Sequence, residues 1–330
     1  MRSWIALFST LLLLNFAQAI DTHDTRLLSN PAISNNRIAF AYADELWTCD
    51  HDGKNVLRLT SQAHLVGSPV FSPDGKTIAF TANYQGNPDV YTIPSDGGTP
   101  TRLTTHNAPD IVRDFTPDGT AVLFSSPRAT FTLRYTQLFT VPLKGGFPMQ
   151  LPIPSGFYAS YSPDGSRIAY TPARDASQQW KNYRGGTISR IWVYDVKSHA
   201  VQELPQPKGG CNDLDPRWMN DVLAFRSDRN GEYNVFIYDP GTKEITQLTR
   251  HNDFAVLNMG VGGNKVAYEQ AGYLHLMDVA KREGKYFGEA HKLTIGVASD
   301  LQERMPRFAK GSKFIRNASL SPSGARAAFE

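Results

Sequence analysis

Residues 71–104 read FSPDGKTIAFTANYQGNPDVYTIPSDGGTPTRLT, and this stretch decides the fold. In the turn Ser72-Pro73-Asp74-Gly75, proline presets φ at the second position and glycine closes the turn, as a type I turn prefers. Residues 78–80 and 90–93 are rich in β-forming side chains. Together with the lead-in at 64–70 and the closing Leu103-Thr104, the stretch predicts a unit of four short strands.

The same unit recurs along the chain. The SPDG turn returns as Thr116-Pro117-Asp118-Gly119, as Ser162-Pro163-Asp164-Gly165 and as Ser321-Pro322-Ser323-Gly324. A closing Leu-Thr or Leu-Pro pair ends at residues 60, 104, 152, 205, 249 and 294, at intervals of 44, 48, 53, 44 and 45 residues. A period of about 45 residues with four short strands is typical of a β-propeller blade.

Many of the predicted strands are continuous apolar runs, such as residues 78–80 and 222–225. This pattern favours sheets that are covered on both faces, as in a propeller, over a two-layer sandwich with one wet face. The predicted fold is therefore all-β: a six-bladed β-propeller with four antiparallel strands per blade, preceded by a signal peptide. Because each terminal blade contains its own four strands, we expect the ring to close without exchanging a strand.

Residues 1–19 predict a secretory signal peptide, since Arg2 precedes an apolar run and Ala17-Gln18-Ala19 matches a small-x-small cleavage site. A membrane anchor is the alternative, but the run is short for a span. We expect residues 30–294 to form the propeller and 295–312 a linker. The repeat restarts after the linker, so residues 313–330 predict the first strands of a second, truncated propeller. The protein is expected to be periplasmic or secreted, without membrane contact after cleavage.

Composition and motifs narrow the classes of function. The net charge is +3 without any run of Lys or Arg, which gives no support to nucleic-acid binding. The chain has no GxSxG, no zinc-type CxxC and no HExxH, so we predict no catalytic residue, no metal and no cofactor in this region. Cys49 and Cys211 are expected to be unpaired core thiols, although an oxidising compartment would permit a disulfide.

Other polar motifs have structural interpretations. Gly260-Val261-Gly262-Gly263 resembles a phosphate loop slightly, but it takes the place of an SPDG turn and predicts a hairpin turn. His106 and His251 each lie two residues after a closing Leu-Thr pair, which indicates a role in the connection between blades. Arg-Asp pairs such as Arg113-Asp114 are interpreted as solvated or inter-blade ion pairs.

An insertion in blade four, at residues 172–190, is the candidate binding element. It contains Trp180, Lys181, Tyr183 and Arg184 before a Gly-Gly pair. Arg184 could pair with a peptide carboxylate, and Trp180 or Tyr183 could stack on a substrate. The alternative is a brace, in which the aromatic side chains pack against the rim and the glycines make a turn.

With these residues in view, the chain resembles the N-terminal six-bladed propeller of tricorn-type serine peptidases, the S41 group. Its repeat is also similar to TolB-like and PD40-type propellers. The more specific likeness lies in the insertion followed by Ile191-Trp192, and in the restart at residues 315–327. The resemblance covers residues 28 to 330. Some members of this family carry an adjacent arginine pair before the third blade, proposed to hold a substrate C-terminus; here that stretch has only Arg113.

The resemblance implies a non-catalytic propeller that gates or routes peptides to a catalytic domain absent from this chain. Expected partners are peptides or unfolded segments, downstream domains of the same chain, and another copy in a homo-oligomer. The candidate substrate-binding residues are Trp180, Lys181, Tyr183, Arg184 and Arg113. Alternatives are a TolB-like periplasmic binding module, and the propeller of a prolyl-oligopeptidase-like or amidohydrolase enzyme. A cytoplasmic location, as for some family members, is the alternative to export.

Overall fold

The computed structural model describes residues 22–65, 67, 69–132, 134–175, 180–299, 308, 311 and 316–329. The predicted signal peptide lies outside the described residues. The described residues up to Val297 form one compact unit, and the described residues from Ala298 onward form a second. In the second unit, the Ser321 turn joins the two strands of an antiparallel hairpin. Its strands are β25 (Ala318–Leu320) and β26 (Ala327–Phe329).

The first unit contains six sheets of four antiparallel strands, and each sheet takes its strands in chain order. The predicted six-bladed, four-stranded propeller is therefore confirmed. Blade one consists of β1 (Ser29–Ile33), β2 (Arg37–Tyr42), β3 (Glu45–Asp50) and β4 (Leu57–Arg58). Blade two consists of β5 (Val70–Phe71), β6 (Thr77–Ala82), β7 (Asp89–Pro94) and β8 (Thr101–Arg102). Blade three consists of β9 (Ile111–Phe115), β10 (Ala121–Ser126), β11 (Gln137–Pro142) and β12 (Met149–Gln150).

The other three blades follow the same order. Blade four consists of β13 (Ala159–Tyr161), β14 (Arg167–Tyr170), β15 (Trp192–Asp195) and β16 (Val201–Glu203). Blade five consists of β17 (Asp213–Met219), β18 (Val222–Ser227), β19 (Asn234–Asp239) and β20 (Glu244–Gln247). Blade six consists of β21 (Val256–Gly262), β22 (Lys265–Gln270), β23 (Tyr273–Arg282) and β24 (Lys285–Lys292).

Repeated polar contacts explain why the sequence repeats. In the SPDG turn of blade two, the Ser72 hydroxyl donates to Asp74 at 2.6 Å and accepts the Thr77 amide at 3.0 Å. The closing threonine acts as a clamp: Thr104 Oγ1 accepts the Val90 amide at 3.0 Å and donates to Asp89 at 3.2 Å. The turn fixes the hairpin between the first two strands, and the clamp fixes the end of the blade.

The core is divided among the gaps between blades. Six clusters of buried apolar side chains each join two neighbouring blades, and together they include every blade twice. Cys49 is buried in the cluster between blades one and six, and both cysteines are free thiols, as expected. A single four-stranded sheet cannot cover both its faces, so neighbouring blades supply the cover.

The ring closes between blades one and six without strand exchange, as predicted. Gly260 and Gly262 lie within β21 and not in the turn, where only Gly263 and Asn264 remain. A Cβ atom on Gly260 would lie 2.7 Å from the Pro31 carbonyl oxygen and 2.8 Å from the Ala32 Cα. The sequence predicted a hairpin turn over residues 260–263, and this prediction was wrong for Gly260 and Gly262. Both lie in β21, where β1 approaches so closely that there is no room for a side chain.

Candidate functional site

The candidate site lies on the axis of the propeller. The first strands of the six blades contact one another in a closed circle, so their side chains line the centre of the ring. Four of these strands carry a β-bulge, in blades one, three, five and six. Two bulges contain a non-glycine residue with positive φ, Asn30 at 52° and Asp215 at 50°. Bulges turn side chains away from the regular alternation of a strand, and they are frequent beside functional sites.

Polar side chains from the bulged strands and from the second strands beside them form a belt around the axis, here called the axial belt (Arg113, Asp215, Arg217, Arg226 and Glu269). Glu269 accepts hydrogen bonds from the Asn258 amide group at 2.7 Å and from the Asn30 backbone at 3.2 Å. Arg226 lies 3.8 Å from Asp215, and Arg217 pairs with the same carboxylate at 3.1 Å. Burial raises the pKa of Glu269 above its usual value, against the effect of its hydrogen bonds.

Arg217 bridges two blades that are not neighbours. Its Nη1 donates to the Arg113 carbonyl oxygen at 2.6 Å, which links blade five to blade three. Beside it, the Asp114 carboxylate accepts the Tyr161 amide of blade four at 3.0 Å. Burial raises the pKa of Asp114, while the Arg217 charge opposes that rise. These contacts hold blades three, four and five together around the axis.

At the axis lies a cavity of about 140 Å³, here called the funnel, that residues of all six blades line and that shares Arg217 with the axial belt. Its polar side is formed by Asp114, Ser160 and Arg217. Its apolar side includes Val70 of blade two and Val261 of blade six. These side chains come from the parts of the first strands that lead into the turns between first and second strands. The centre is therefore narrow, with one charged and one apolar wall.

Arg113 lies in this axial region. Its guanidinium is buried over the rings of Phe157 and Tyr158, with centroids 4.3 and 4.9 Å away, and its Nε donates to Ser125 at 2.9 Å. Burial lowers the pKa of Arg113 to about 10, so the side chain stays charged at neutral pH. The structure brings it together with Arg217 and Asp215, which sequence reasoning did not select.

The blade-four insertion is attached to blade five by ion pairs. Arg184 Nη1 lies 2.7 Å from Asp228, a carboxylate without solvent exposure, and Lys181 Nζ lies 2.6 Å from Glu232. The Asn212 amide group also bonds the Tyr183 carbonyl, at 2.9 Å, and Asp228, at 3.0 Å. Because the charges of Arg184 and Lys181 are already paired, these contacts favour the brace for the two cationic residues.

The aromatic pair of the insertion stays available at the surface. The rings of Trp180 and Tyr183 stack with centroids 6.0 Å apart, and Trp180 is 62% exposed. Of the five candidate residues, four therefore lie together in the insertion, while Arg113 lies on the axis.

Other candidate groups have structural partners. His106 Nδ1 accepts the Ala108 amide at 3.0 Å, and His251 lies 3.1 Å from the Tyr268 hydroxyl. Among the described residues, no group of three or more His, Cys, Asp or Glu side chains could hold a metal ion. Within the same part of the chain, no helix has the length and apolar character of a membrane span.

Comparison with known proteins places this architecture in a family. A model of the tricorn protease N-terminal β-propeller domain matches residues 25–283. A tricorn protease homologue of Streptomyces coelicolor is 29% identical over 242 residues, which cover 73% of this chain and 22% of that protein. The crystal structure of the tricorn protease superposes with a TM-score of 0.71 at 21% identity, over 83% of this chain and 27% of that one.

The fold is shared more widely than the family. The structure of a TolB from Agrobacterium tumefaciens superposes with a TM-score of 0.57 at 17% identity, over 82% of this chain and 91% of that chain. This likeness concerns the fold alone.

The present chain spans about a fifth to a quarter of the length of its tricorn-type relatives. The family match covers most of the chain, so the chain belongs to the family of tricorn protease N-terminal β-propeller domains.

Proposed function

We propose that this chain is the non-catalytic propeller of an exported, tricorn-like serine peptidase of the S41 group, and that it routes peptides along its axis. Two findings support this function: the family match and the short share of the relatives' length that the chain spans. In this proposal the catalytic residues belong to another part of a longer protein. The partners are peptides or unfolded segments, together with that catalytic part.

The axial funnel is the observation that carries the proposal. All six blades contribute to a centre of about 140 Å³, which is too narrow for a folded domain. The Asp114 and Arg217 side chains offer charged hydrogen-bonding groups to a peptide backbone, and the opposite wall offers apolar contact. Narrow width with mixed lining would favour an extended chain over a compact protein.

The blade-four insertion, at the rim of the ring, is the second part of the proposed peptide route. Trp180 and Tyr183 present stacked rings that could contact an approaching peptide, while Arg184 and Lys181 hold the insertion in place through blade five. Arg113 contributes at the axis, where it helps to shape the belt. The five candidate residues thus divide into two that meet peptide, two that position the insertion, and one in the axial belt.

A reversible block of the funnel tests the proposal. In the full-length protein, Val261→Cys places a thiol on the funnel wall, while Cys49 and Cys211 are buried. Modification with benzyl methanethiosulfonate should reduce turnover of a ten-residue peptide at least tenfold, and dithiothreitol should restore it. Mass spectrometry measures the extent of modification.

Thr242→Cys is the matched control, since Thr242 lies in an exposed turn of blade five. Its modification should leave turnover unchanged. If fully modified Val261→Cys protein hydrolyses the peptide at the unmodified rate, the axial route is wrong. A binding module that docks a partner on its rim would then be the better interpretation.

A further inference from the structure

A second cavity lies away from the axis, between the outer part of blade one and blade two. This inter-blade groove has a volume of about 690 Å³, within the range of small-ligand sites. Arg58 and Ser61 line it from blade one, and Tyr84, Tyr91, Pro100 and Arg102 line it from blade two. Its lining contains two arginines and no carboxylate.

The two arginines occupy equivalent positions of the repeat, two residues before the closing Thr or Pro. In chain order the six blades have Arg58, Arg102, Gln150, Glu203, Gln247 and Lys292 there. In three blades, the side chain at this position donates one hydrogen bond to the backbone carbonyl oxygen of the closing residue. Arg58 Nε, Arg102 Nε and Gln247 Nε2 each donate this bond at 2.8 Å. A neutral glutamine is sufficient for this bond, so the bond itself does not need the positive charge of Arg58. The Arg58 guanidinium also lies over the Trp47 ring, 5.8 Å from its centroid.

The charge of Arg58 is also not required by its neighbour Glu45. The Glu45 carboxylate accepts hydrogen bonds from the Thr60 hydroxyl at 2.6 Å and from the backbone amides of Gln62 and Ala63. Arg58 Nη2 adds a contact at 3.2 Å, on a side chain that is 45% exposed. Its Nη1 has no hydrogen-bond partner among the described residues. By contrast, both Nη atoms of Arg102 are engaged, by Gln85 and Asp89 at 2.6 Å.

The floor of the groove supplies an aromatic surface and a further donor. Tyr84 and Tyr91 meet edge to face, with centroids 5.1 Å apart. Burial, and then the charge of Glu45, raise the pKa of Tyr84 to about 12, so its hydroxyl keeps its proton at neutral pH. Arg58 itself belongs to β4, the outermost strand of blade one, whose outer edge pairs with no other described strand. An unpaired edge can accept an extended peptide as an added strand.

We propose that the inter-blade groove binds an extended peptide segment that carries an acidic side chain. The carboxylate pairs with Arg58 and accepts the Tyr84 hydroxyl, since a charge-assisted bond to a guanidinium is strong. An adjacent apolar side chain packs on Tyr91 and Pro100, and the peptide backbone follows the edge of β4. This site is separate from the funnel and does not depend on the axial route.

Binding of two short peptides to the full-length protein, with its catalytic serine first blocked by a fluorophosphonate, tests the site. The probe is acetyl-Ala-Pro-Glu-Phe-Ala-amide, and its counterpart has Gln in place of Glu. Isothermal titration calorimetry should show saturable binding of the Glu peptide and at least tenfold weaker binding of the Gln peptide. Arg58→Gln should weaken binding of the Glu peptide at least tenfold while the protein stays folded, because Gln247 shows that glutamine keeps the structural bond.

Lys292→Gln is the control, because it removes a cation at the same repeat position in blade six, outside the groove. It should bind the Glu peptide like the unaltered protein. The proposal is overturned if the Glu peptide shows no saturable binding, if both peptides bind equally, or if Arg58→Gln binds normally. Modification of Val261→Cys should leave this binding intact, so failure of the axial route and failure of the groove are distinguishable.

Discussion

At the scale of single residues, one carboxylate organises each of the three turns of this type that carry an aspartate, at residues 74, 118 and 164. Asp164 accepts the Ser162 hydroxyl at 2.6 Å, the Ser166 hydroxyl at 2.7 Å and the Ser166 amide at 3.1 Å. Hydrogen bonds from Ser162 and then Ser166 lower the pKa of Asp164 to about 2. The same arrangement at Asp74 and Asp118 lowers the pKa of both. The turn is therefore stabilised most when its aspartate is ionised.

This arrangement predicts a pH dependence. The pKa of Asp164 is lower in the folded state than its usual value of 3.8, so the ionised form favours folding. The stability that ionised Asp164 contributes to the folded state is fully present above its usual pKa, and it is lost as the pH falls toward about 2. Asp164→Asn should therefore lower the thermal unfolding temperature at pH 5, and the difference from the unaltered protein should shrink at pH 2.5.

Scanning calorimetry at the two pH values measures this difference. Asp221→Asn, in an exposed turn without a comparable set of hydrogen bonds among the described contacts, is the control. A difference for Asp164→Asn that is the same at both pH values would contradict the assignment.

The repeated residues were readable from sequence because their partners are close in the chain. Ser72, Asp74 and Thr77 lie within one turn, and the closing Thr104 recurs at a regular interval. The pairing of Arg184 with Asp228 was not readable, since 44 residues separate them and either could have faced solvent. Sequence could offer both the brace and the peptide contact for Arg184, and only the position of Asp228 separates them.

At the scale of strands, the contact between β1 and β21 closes the ring. Gly260 lets the backbones of the two strands approach so closely that a Cβ atom would meet backbone atoms at 2.7 and 2.8 Å. Backbone cannot move aside as a flexible side chain can. The ring closure therefore depends on the absence of a side chain at this position.

Gly260→Ala should lower the free energy of unfolding by about 1–3 kcal/mol, the usual effect of overpacking a tight interface. Urea unfolding followed by tryptophan fluorescence measures the change. Gly186→Ala is the control, because no atom lies within 4 Å of its added Cβ. Equal stability of Gly260→Ala and the unaltered protein would show that blades one and six pack less closely than described.

The β-bulges in the first strands could not be predicted from the sequence. The repeat predicted four short strands in each blade, but a bulge depends on the register with the neighbouring strand. At Asp215 the register shifts between Leu214 and Arg217, and this shift directs Arg217 toward blade three. No local pattern in residues 213–219 signals such a shift, so the axial belt emerged only from the structure.

At the scale of the molecule, stability is distributed around a ring. Each blade shares an apolar cluster with both neighbours, and the N-terminal segment adds a tie at the junction of blades one and six. There the Thr25 amide donates to the Ile295 carbonyl at 2.8 Å, and Ile295 and Val297 are buried. The number of blades and the mode of closure followed from the repeat, whereas the narrow, charged centre did not.

A structure of the full-length protein with a bound, uncleavable ten-residue peptide tests the central claim most directly. Electron cryo-microscopy would show whether peptide density occupies the axis. The account predicts an extended peptide in the funnel, with its backbone beside Asp114 and Arg217 and a side chain against Val261. Peptide density that reaches a catalytic part by another path, with the funnel empty, would contradict it.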